Sequence, residues 1–123
     1  MKEFKLIVAG GRDFDNYSRL SKVVTDLATS PDLYGSKSVS IVSGMARGAD
    51  ALGHRFALEN NVTVHEFPAD WNSFGKQAGF VRNEEMAHFS DALVAFWNGQ
   101  SVGTKHMIEF MKKLNKPVYV INY

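Results

Sequence analysis

The sequence contains no cysteine, which excludes disulfides, thiolate nucleophiles and cysteine-based metal sites. It also has no apolar run approaching the ~20 residues of a membrane-spanning helix. Neither sign of charge dominates, since 14 Lys plus Arg stand against 13 Asp plus Glu. We therefore expect a cytoplasmic protein with no membrane partner, in which local groups and not bulk charge bind any anion.

Several site motifs are absent as well. The four histidines show no HExxH or other paired spacing, so no metal site and no metal cofactor is expected. There is no GxSxG elbow, no GxGxxG turn and no Walker A loop, which argues against a serine hydrolase, a Rossmann dinucleotide site and an ordinary ATPase. The apolar run near the N-terminus leads directly into glycines and is typical of a strand, not of a signal peptide.

What the sequence does contain is an alternation of strand and helix patterns over 123 residues, enough for one domain spanning 1–123. Short apolar runs predict strands at 4–9, 39–43, 62–67, 92–96 and 118–121. Helical spacing predicts four helices between them, the first ended by Ser30-Pro31. A polar, aromatic loop is expected over 68–79, and Ser36-Lys37-Ser38 extends another loop. The fold class is therefore α/β, a doubly wound domain with a mainly parallel sheet of about five strands.

Two glycine-rich segments follow the first two predicted strands, where ligands sit in such sheets. In the first, glycine N–H groups and an arginine fork can hold a phosphate, although a plain turn with a solvated arginine would look the same. In the second, glycines and a basic residue precede the N-terminus of a helix, which favours anion binding. Alternatively, the aspartate of this segment only complements the helix dipole. The candidate ligand-binding residues are Gly10, Gly11, Arg12, Asp13, Ser43, Gly44, Arg47 and Asp50.

Two later segments add candidates of the same kind. Trp71 can stack on a base, Lys76 and Arg82 can face phosphate, and Asp70 or Asn83 can bind ribose hydroxyls or a base edge. For Phe74 and Met86 we expect core packing instead. The last segment contains Gly103 and Thr104, with Thr104 predicted as a helix N-cap next to a further phosphate site.

Four sequence stretches in this order resemble the SLOG superfamily: GGRDF, SGMARGAD, PADWNSFGKQAGFVRNEEM and a later GT. The similarity is greatest to its small YspA-type, YpsA-related branch in bacteria and phages, and it spans nearly the whole chain. The superfamily shares its fold with the DNA-processing protein Smf, also called DprA, and with the LOG phosphoribohydrolases. The resemblance implies a Rossmann-like domain for a nucleotide-derived small molecule, and a homodimer or higher homo-oligomer.

The resemblance leaves catalysis open. The LOG enzymes have characteristic motif residues before and within their phosphate-binding turn. The residues of this sequence at the matching positions are Arg82, Met86, Asp91, Ala92, Gly103 and Thr104. However, Met107 stands where those enzymes have a catalytic glutamate. Glycosidic cleavage benefits from a carboxylate, so Glu85 and Asp70 become the replacement catalytic candidates, with Asp13 as a third. Glu85 can equally be a solvated helix residue.

Three functions compete at this point. The first is a sensor or sequestering protein for a nucleotide-derived phosphorylated molecule, such as an ADP-ribose-like or cyclic nucleotide signal in immune signalling. The second is an N-glycosidase of nucleoside 5′-monophosphates, as in LOG. The third is single-stranded DNA binding as in Smf, against which the near-neutral charge counts, so that nucleic acid is not an expected partner.

Overall fold

The computed structural model describes residues 3–30 and 38–123. Its elements are β1 (Glu3–Gly10), α1 (Tyr17–Ala28), β2 (Ser38–Ser43), α2 (Ala49–Glu59), β3 (Val64–Glu66), α3 (Trp71–Phe74), a 3-10 turn (Gly75–Gln77), α4 (Ala78–Phe89), β4 (Ala92–Trp97), α5 (Val102–Lys113) and β5 (Val118–Asn122). None of these helices is long and apolar enough to cross a bilayer within the described ranges. Pro31, expected to stop the first helix, and the Ser36-Lys37 loop lie outside the described residues.

The strands form one five-stranded sheet in the order β3-β2-β1-β4-β5, and every pair is parallel. The predicted α/β class and strand number are confirmed. From β1, the chain adds β2 and β3 on one side of this strand and then returns to add β4 and β5 on the other side. The switch point therefore lies between β1 and β4, where a crevice opens at the carboxyl ends of the strands.

The core has two parts because β1 is covered on both faces. Leu6 and Val8 belong to a cluster with buried residues of α1 and α2, whereas Ile7 and Ala9 belong to a cluster with those of α4 and α5. This explains why the central strand is a continuous apolar run and not an alternating one. The two helical layers fix the positions of the loops at the upper edge of the sheet.

The segment 68–79, expected to be a loop, instead contains α3 and the 3-10 turn. Asp70 caps α3, because its Oδ1 accepts a hydrogen bond from the backbone N–H of Ser73 at 3.2 Å. The expected core packing of Phe74 is wrong, since this residue is 47% exposed, while that of Met86, 1% exposed, is correct. A four-residue helix has no inward face long enough to bury both of its aromatic residues.

Candidate functional site

A cavity of about 450 Å³ opens at the switch point, above the ends of β1 and β4. Its wall is built from the β1–α1 turn, the start of α2, the α3–α4 segment and the β4–α5 turn, so all four segments singled out in the sequence contribute. Its lining residues are Ala9, Gly10, Gly11, Arg12, Asp13, Ala46, Asp50, Trp71, Lys76, Gly79, Phe80, Arg82, Asn83, Asn98, Ser101, Gly103, Thr104 and Met107.

Gly48 allows the β2–α2 loop to lie against the β1–α1 turn. It has a positive φ of 79°, and a Cβ at this position would lie 2.2 Å from the carbonyl oxygen of Gly11. The same carbonyl accepts a hydrogen bond from the backbone N–H of Ala49 at 3.2 Å. Only a residue without a side chain permits this approach, so Gly48 sets the distance between the β1–α1 turn and the N-terminus of α2.

Arg82, on the first turns of α4, reaches across to the β2–α2 loop. Its Nη1 donates a short hydrogen bond to the carbonyl oxygen of Gly44, and its Nε donates to Oδ1 of Asn83 at 3.0 Å. A Cβ on Gly44 would lie 2.6 Å from that Nη1, so glycine is needed here to admit the guanidinium. Arg82 is therefore held in one orientation on the cavity wall, which lowers the entropy cost of binding an anion.

Asp50 is a nearly fully buried carboxyl group on the same wall, 5% exposed. Burial raises the pKa of the Asp50 carboxyl to about 6, against the opposing effect of the Arg82 guanidinium. One of its oxygens accepts a hydrogen bond from the backbone N–H of Ala46 at 3.4 Å. Near neutral pH this group changes charge readily, and it is the buried titratable residue of the cavity.

The N-terminus of α5 forms the opposite wall. Ser101, not Thr104 as predicted, is the N-cap, because its Oγ accepts from the backbone N–H of Thr104 at 3.4 Å. Indole Nε1 of Trp97 donates to the carbonyl oxygen of Ser101 at 3.1 Å, and Nδ2 of Asn83 donates to that of Gly103 at 3.2 Å. These bonds tie the helix N-terminus, with its outward N–H groups, to β4 and α4.

Two cations on the cavity wall are uncommitted. The side chains of Arg12 and Lys76 are exposed and make no hydrogen bond or ion pair with any residue in 3–30 or 38–123. Beside them Trp71 presents an indole ring that is 54% exposed. Cations without a protein partner next to an exposed aromatic face are suited to a ligand that has both phosphate and a planar base.

A second cavity of about 330 Å³ adjoins the first. It lies between the β2–α2 loop and the segment before α3, and Arg12, Ala46, Trp71 and Arg82 line both cavities. Its other lining residues are Gly44, Met45, Arg47, Pro68 and Ala69. The site is thus a pair of neighbouring cavities with a common boundary of two arginines and a tryptophan.

Most predicted ligand-binding residues line these two cavities. Those lining the first cavity are Gly10, Gly11, Arg12, Asp13, Asp50, Trp71, Lys76, Arg82, Asn83, Gly103 and Thr104, while Gly44 and Arg47 line the second. Ser43 lines neither cavity. It is fully buried, and its Oγ donates a hydrogen bond to the carbonyl oxygen of Asp50 at 3.0 Å. A strand-terminal hydroxyl that is satisfied internally has no donor to offer a ligand.

The two replacement catalytic residues lie elsewhere. Glu85 is exposed on α4 and lines neither cavity, and Asp70 is exposed and occupied as the cap of α3. Glu85 follows Arg82 by three residues, a helical spacing that suggested that both side chains border one pocket. The Arg82 side chain instead extends to the carbonyl oxygen of Gly44. Their catalytic role stays a prediction, with no support from the geometry.

Sequence reasoning did not single out Gly48 or Ser101. The signal for Ser101 was available, since serine is among the residues preferred as the N-cap just before a predicted helix. The role of Gly48 depends on contact with the distant β1–α1 turn. No local pattern reveals such a contact.

Comparison with known families and sequences gives a consistent result. Residues 4–74 match the family described as the YspA, cpYpsA-related SLOG family. The chain is also 36% identical to the Gene 61 protein of Mycobacterium phage D29, over 93% of each chain.

Solved structures share the fold at low sequence identity. DNA processing protein A (DprA) from Streptococcus pneumoniae superimposes with a TM-score of 0.77 at 18% identity, covering 99% of this chain and 51% of that one. DNA processing protein A from Helicobacter pylori, in a structure of its single-stranded DNA binding mode, gives a TM-score of 0.61 at 18% identity, covering 95% of this chain and 64% of that one. The chain therefore spans about half to two thirds of these proteins.

The expectation that nucleic acid is not a partner is wrong. The fold is shared with a protein whose structure addresses single-stranded DNA binding. The argument failed because the net charge of +1 averages over the whole surface. Locally, Arg12, Lys76 and Arg82 concentrate positive charge at one cavity, and that local charge decides what the site attracts.

Proposed function

Because this chain belongs to the YspA, cpYpsA-related SLOG family, we propose that it binds a phosphate-bearing nucleotide unit in the cavity at the switch point of its sheet. The observation that carries the proposal is the convergence of uncommitted cations, a fixed arginine and a helix N-terminus on one cavity of about 450 Å³. That volume falls within the range of about 300–1,000 Å³ usual for small-ligand sites.

Each part of a nucleotide has a suitable surface in this cavity. The phosphate fits the N-terminus of α5 near Gly103, within reach of the Arg82 guanidinium. The base fits against the exposed face of Trp71. Asp13 offers a carboxylate acceptor to the sugar hydroxyls, while Asn83, whose amide is bonded to Arg82 and Gly103, positions the arginine.

The nucleotide unit has two plausible sources, a free nucleotide-derived molecule or a segment of single-stranded DNA. The volume of the cavity, about 450 Å³, suits the first source. The likeness of the fold to DNA processing protein A favours the second. Calorimetric titration with a 5′-mononucleotide, with ADP-ribose and with a 5′-phosphorylated oligodeoxynucleotide separates these sources by their relative affinities.

Replacing Arg82 by alanine is expected to weaken the tightest of these ligands by about 1.5–3 kcal/mol, the value of a lost charged hydrogen bond. Arg19→Ala is the matched control, because it removes the same charge from an exposed position on α1 that lines neither cavity. Equal affinities for wild type and Arg82→Ala would refute the placement of the phosphate. Failure of all three ligands to bind wild type would refute the function.

A hydrolase that cleaves the N-glycosidic bond is a second candidate, favoured by one observation. The Asp50 carboxyl lines the cavity with a pKa of about 6, which suits an acid or base working near neutral pH. Incubation with nucleoside monophosphates and detection of free base tests it. We expect any base release to be lost in Asp50→Asn and retained in Glu85→Gln; ligand recovered intact from wild type would argue for binding alone.

A further inference from the structure

The second cavity has a lining chemistry unlike that of an ordinary surface groove. Three arginines, Arg12, Arg47 and Arg82, face it, and no carboxylate is among its lining residues. Asp70, which follows the lining residue Ala69, caps α3 instead. The Asp50 carboxyl of the first cavity interacts electrostatically with Arg82 and Arg12, whereas Arg47 has no such partner among the described residues, so the second cavity keeps an excess of positive charge.

Arg47 contributes nothing evident to the fold. It is exposed, and its side chain makes no hydrogen bond or ion pair in the part of the chain that the structure describes. Arg12 makes no hydrogen bond or ion pair in the described residues and repels Arg82, whose pKa is lowered by burial and by Arg12 against the opposing effect of Asp50. Like charges held close together are stabilised by an anion placed between them.

The rest of the second cavity is apolar. Met45 and Trp71 are 39% and 54% exposed, and Pro68 and Ala69 complete the wall. Met45 adopts a positive φ of 64°, a conformation uncommon outside glycine, which presents its side chain at this cavity. A polarizable thioether and an indole ring make a surface on which a planar base can stack.

The two cavities are contiguous because Arg12, Trp71 and Arg82 line both. We propose that the ligand has two nucleoside units joined through phosphate, one unit in each cavity, with the linking phosphate between Arg12 and Arg82 and the second unit anchored by Arg47. This inference rests on the proposed function of the first cavity and specifies its ligand class. A step of single-stranded DNA and a pyrophosphate-linked dinucleotide both have this chemistry.

The test compares a mononucleotide with a dinucleotide on the same protein. Deoxyadenosine 5′-monophosphate and the 5′-phosphorylated deoxyadenosine dinucleotide are titrated into wild type, Arg47→Ala and the control Arg19→Ala at one salt concentration. Diadenosine 5′,5′-pyrophosphate, in which two adenosines are joined through a pyrophosphate, is titrated in parallel as the pyrophosphate-linked probe. Because Arg47 is exposed and makes no hydrogen bond or ion pair in the described residues, its replacement should leave the fold intact, which a thermal melt checks.

We expect at least one two-unit probe to bind wild type about tenfold more tightly than the mononucleotide. Arg47→Ala should remove this tenfold difference while the affinity for the mononucleotide stays the same. A gain for the deoxydinucleotide identifies a DNA step, and a gain for diadenosine pyrophosphate identifies a pyrophosphate link. The inference would be overturned if the mononucleotide bound as tightly as the two-unit probes, or if Arg47→Ala lowered the affinity for all probes equally. Either result would leave the proposed function standing. No binding by any probe would overturn both.

Discussion

Replacing Gly48 by alanine is expected to lower the free energy of unfolding by about 2–6 kcal/mol. Its backbone angles, φ 79° and ψ −131°, lie in a region that residues with a side chain rarely adopt, at a cost of about 1–3 kcal/mol. The added Cβ would also lie 2.2 Å from the carbonyl oxygen of Gly11 and 2.7 Å from Cα of Arg12. Relieving backbone contacts of this kind costs about 1–3 kcal/mol more.

Gly99→Ala separates these two costs. Gly99 has nearly the same positive φ, 84°, but nothing lies within 4 Å of a Cβ built there. It should therefore lose only the backbone part, about 1–3 kcal/mol. Urea denaturation of wild type and both variants measures the difference. If the two variants were equally stable, the β1–α1 and β2–α2 loops would not be in the contact described above.

The stability of wild type relative to Asp50→Asn is expected to fall by about 3 kcal/mol between about pH 4 and about pH 7. Burial raises the pKa of Asp50 from 3.8 to about 6 in the folded chain. Since the folded state binds this proton more tightly, the contribution is complete below about pH 4 and is lost as the pH rises through about 6. Above that range an ionised carboxylate remains buried, facing Arg82.

Denaturation of both proteins over this pH range gives the difference directly, because the other titrating groups are common to both chains and cancel. A difference that stays constant with pH would mean that Asp50 has an ordinary pKa and is hydrated. The same result would remove the observation that favours Asp50 as an acid or base in the cavity.

The sheet could be predicted from the sequence because each strand is a short apolar run bounded by glycine or proline. The central run in β1, with Leu6, Ile7 and Val8 all fully buried, has no alternation and so indicated a strand covered on both faces. Parallel pairing then placed the glycine turns at one edge. The meeting of Gly11, Arg82 and Gly103 in one cavity followed from topology, not from any detail of the side chains.

The parts that could not be predicted depend on contacts between segments or on very short elements. The helix Trp71–Phe74 lies in a polar, aromatic stretch with no apolar periodicity, and its cap at Asp70 resembled a ligand-binding carboxylate. Ser43 likewise resembled a phosphate donor until its bond to the Asp50 carbonyl was known. A polar residue beside a glycine turn serves the backbone or a ligand, and sequence alone does not distinguish the two uses.

The most direct test of a nucleotide-unit site at this edge of the sheet is a two-dimensional NMR titration of the 15N-labelled protein with the 5′-phosphorylated deoxyadenosine dinucleotide. We expect the largest shifts at the amides of Gly11, Arg12 and Gly103 and at the Trp71 indole, which together line the first cavity. Shifts confined to α1 or to the β3 edge of the sheet, or no saturable shift at all, would contradict the account.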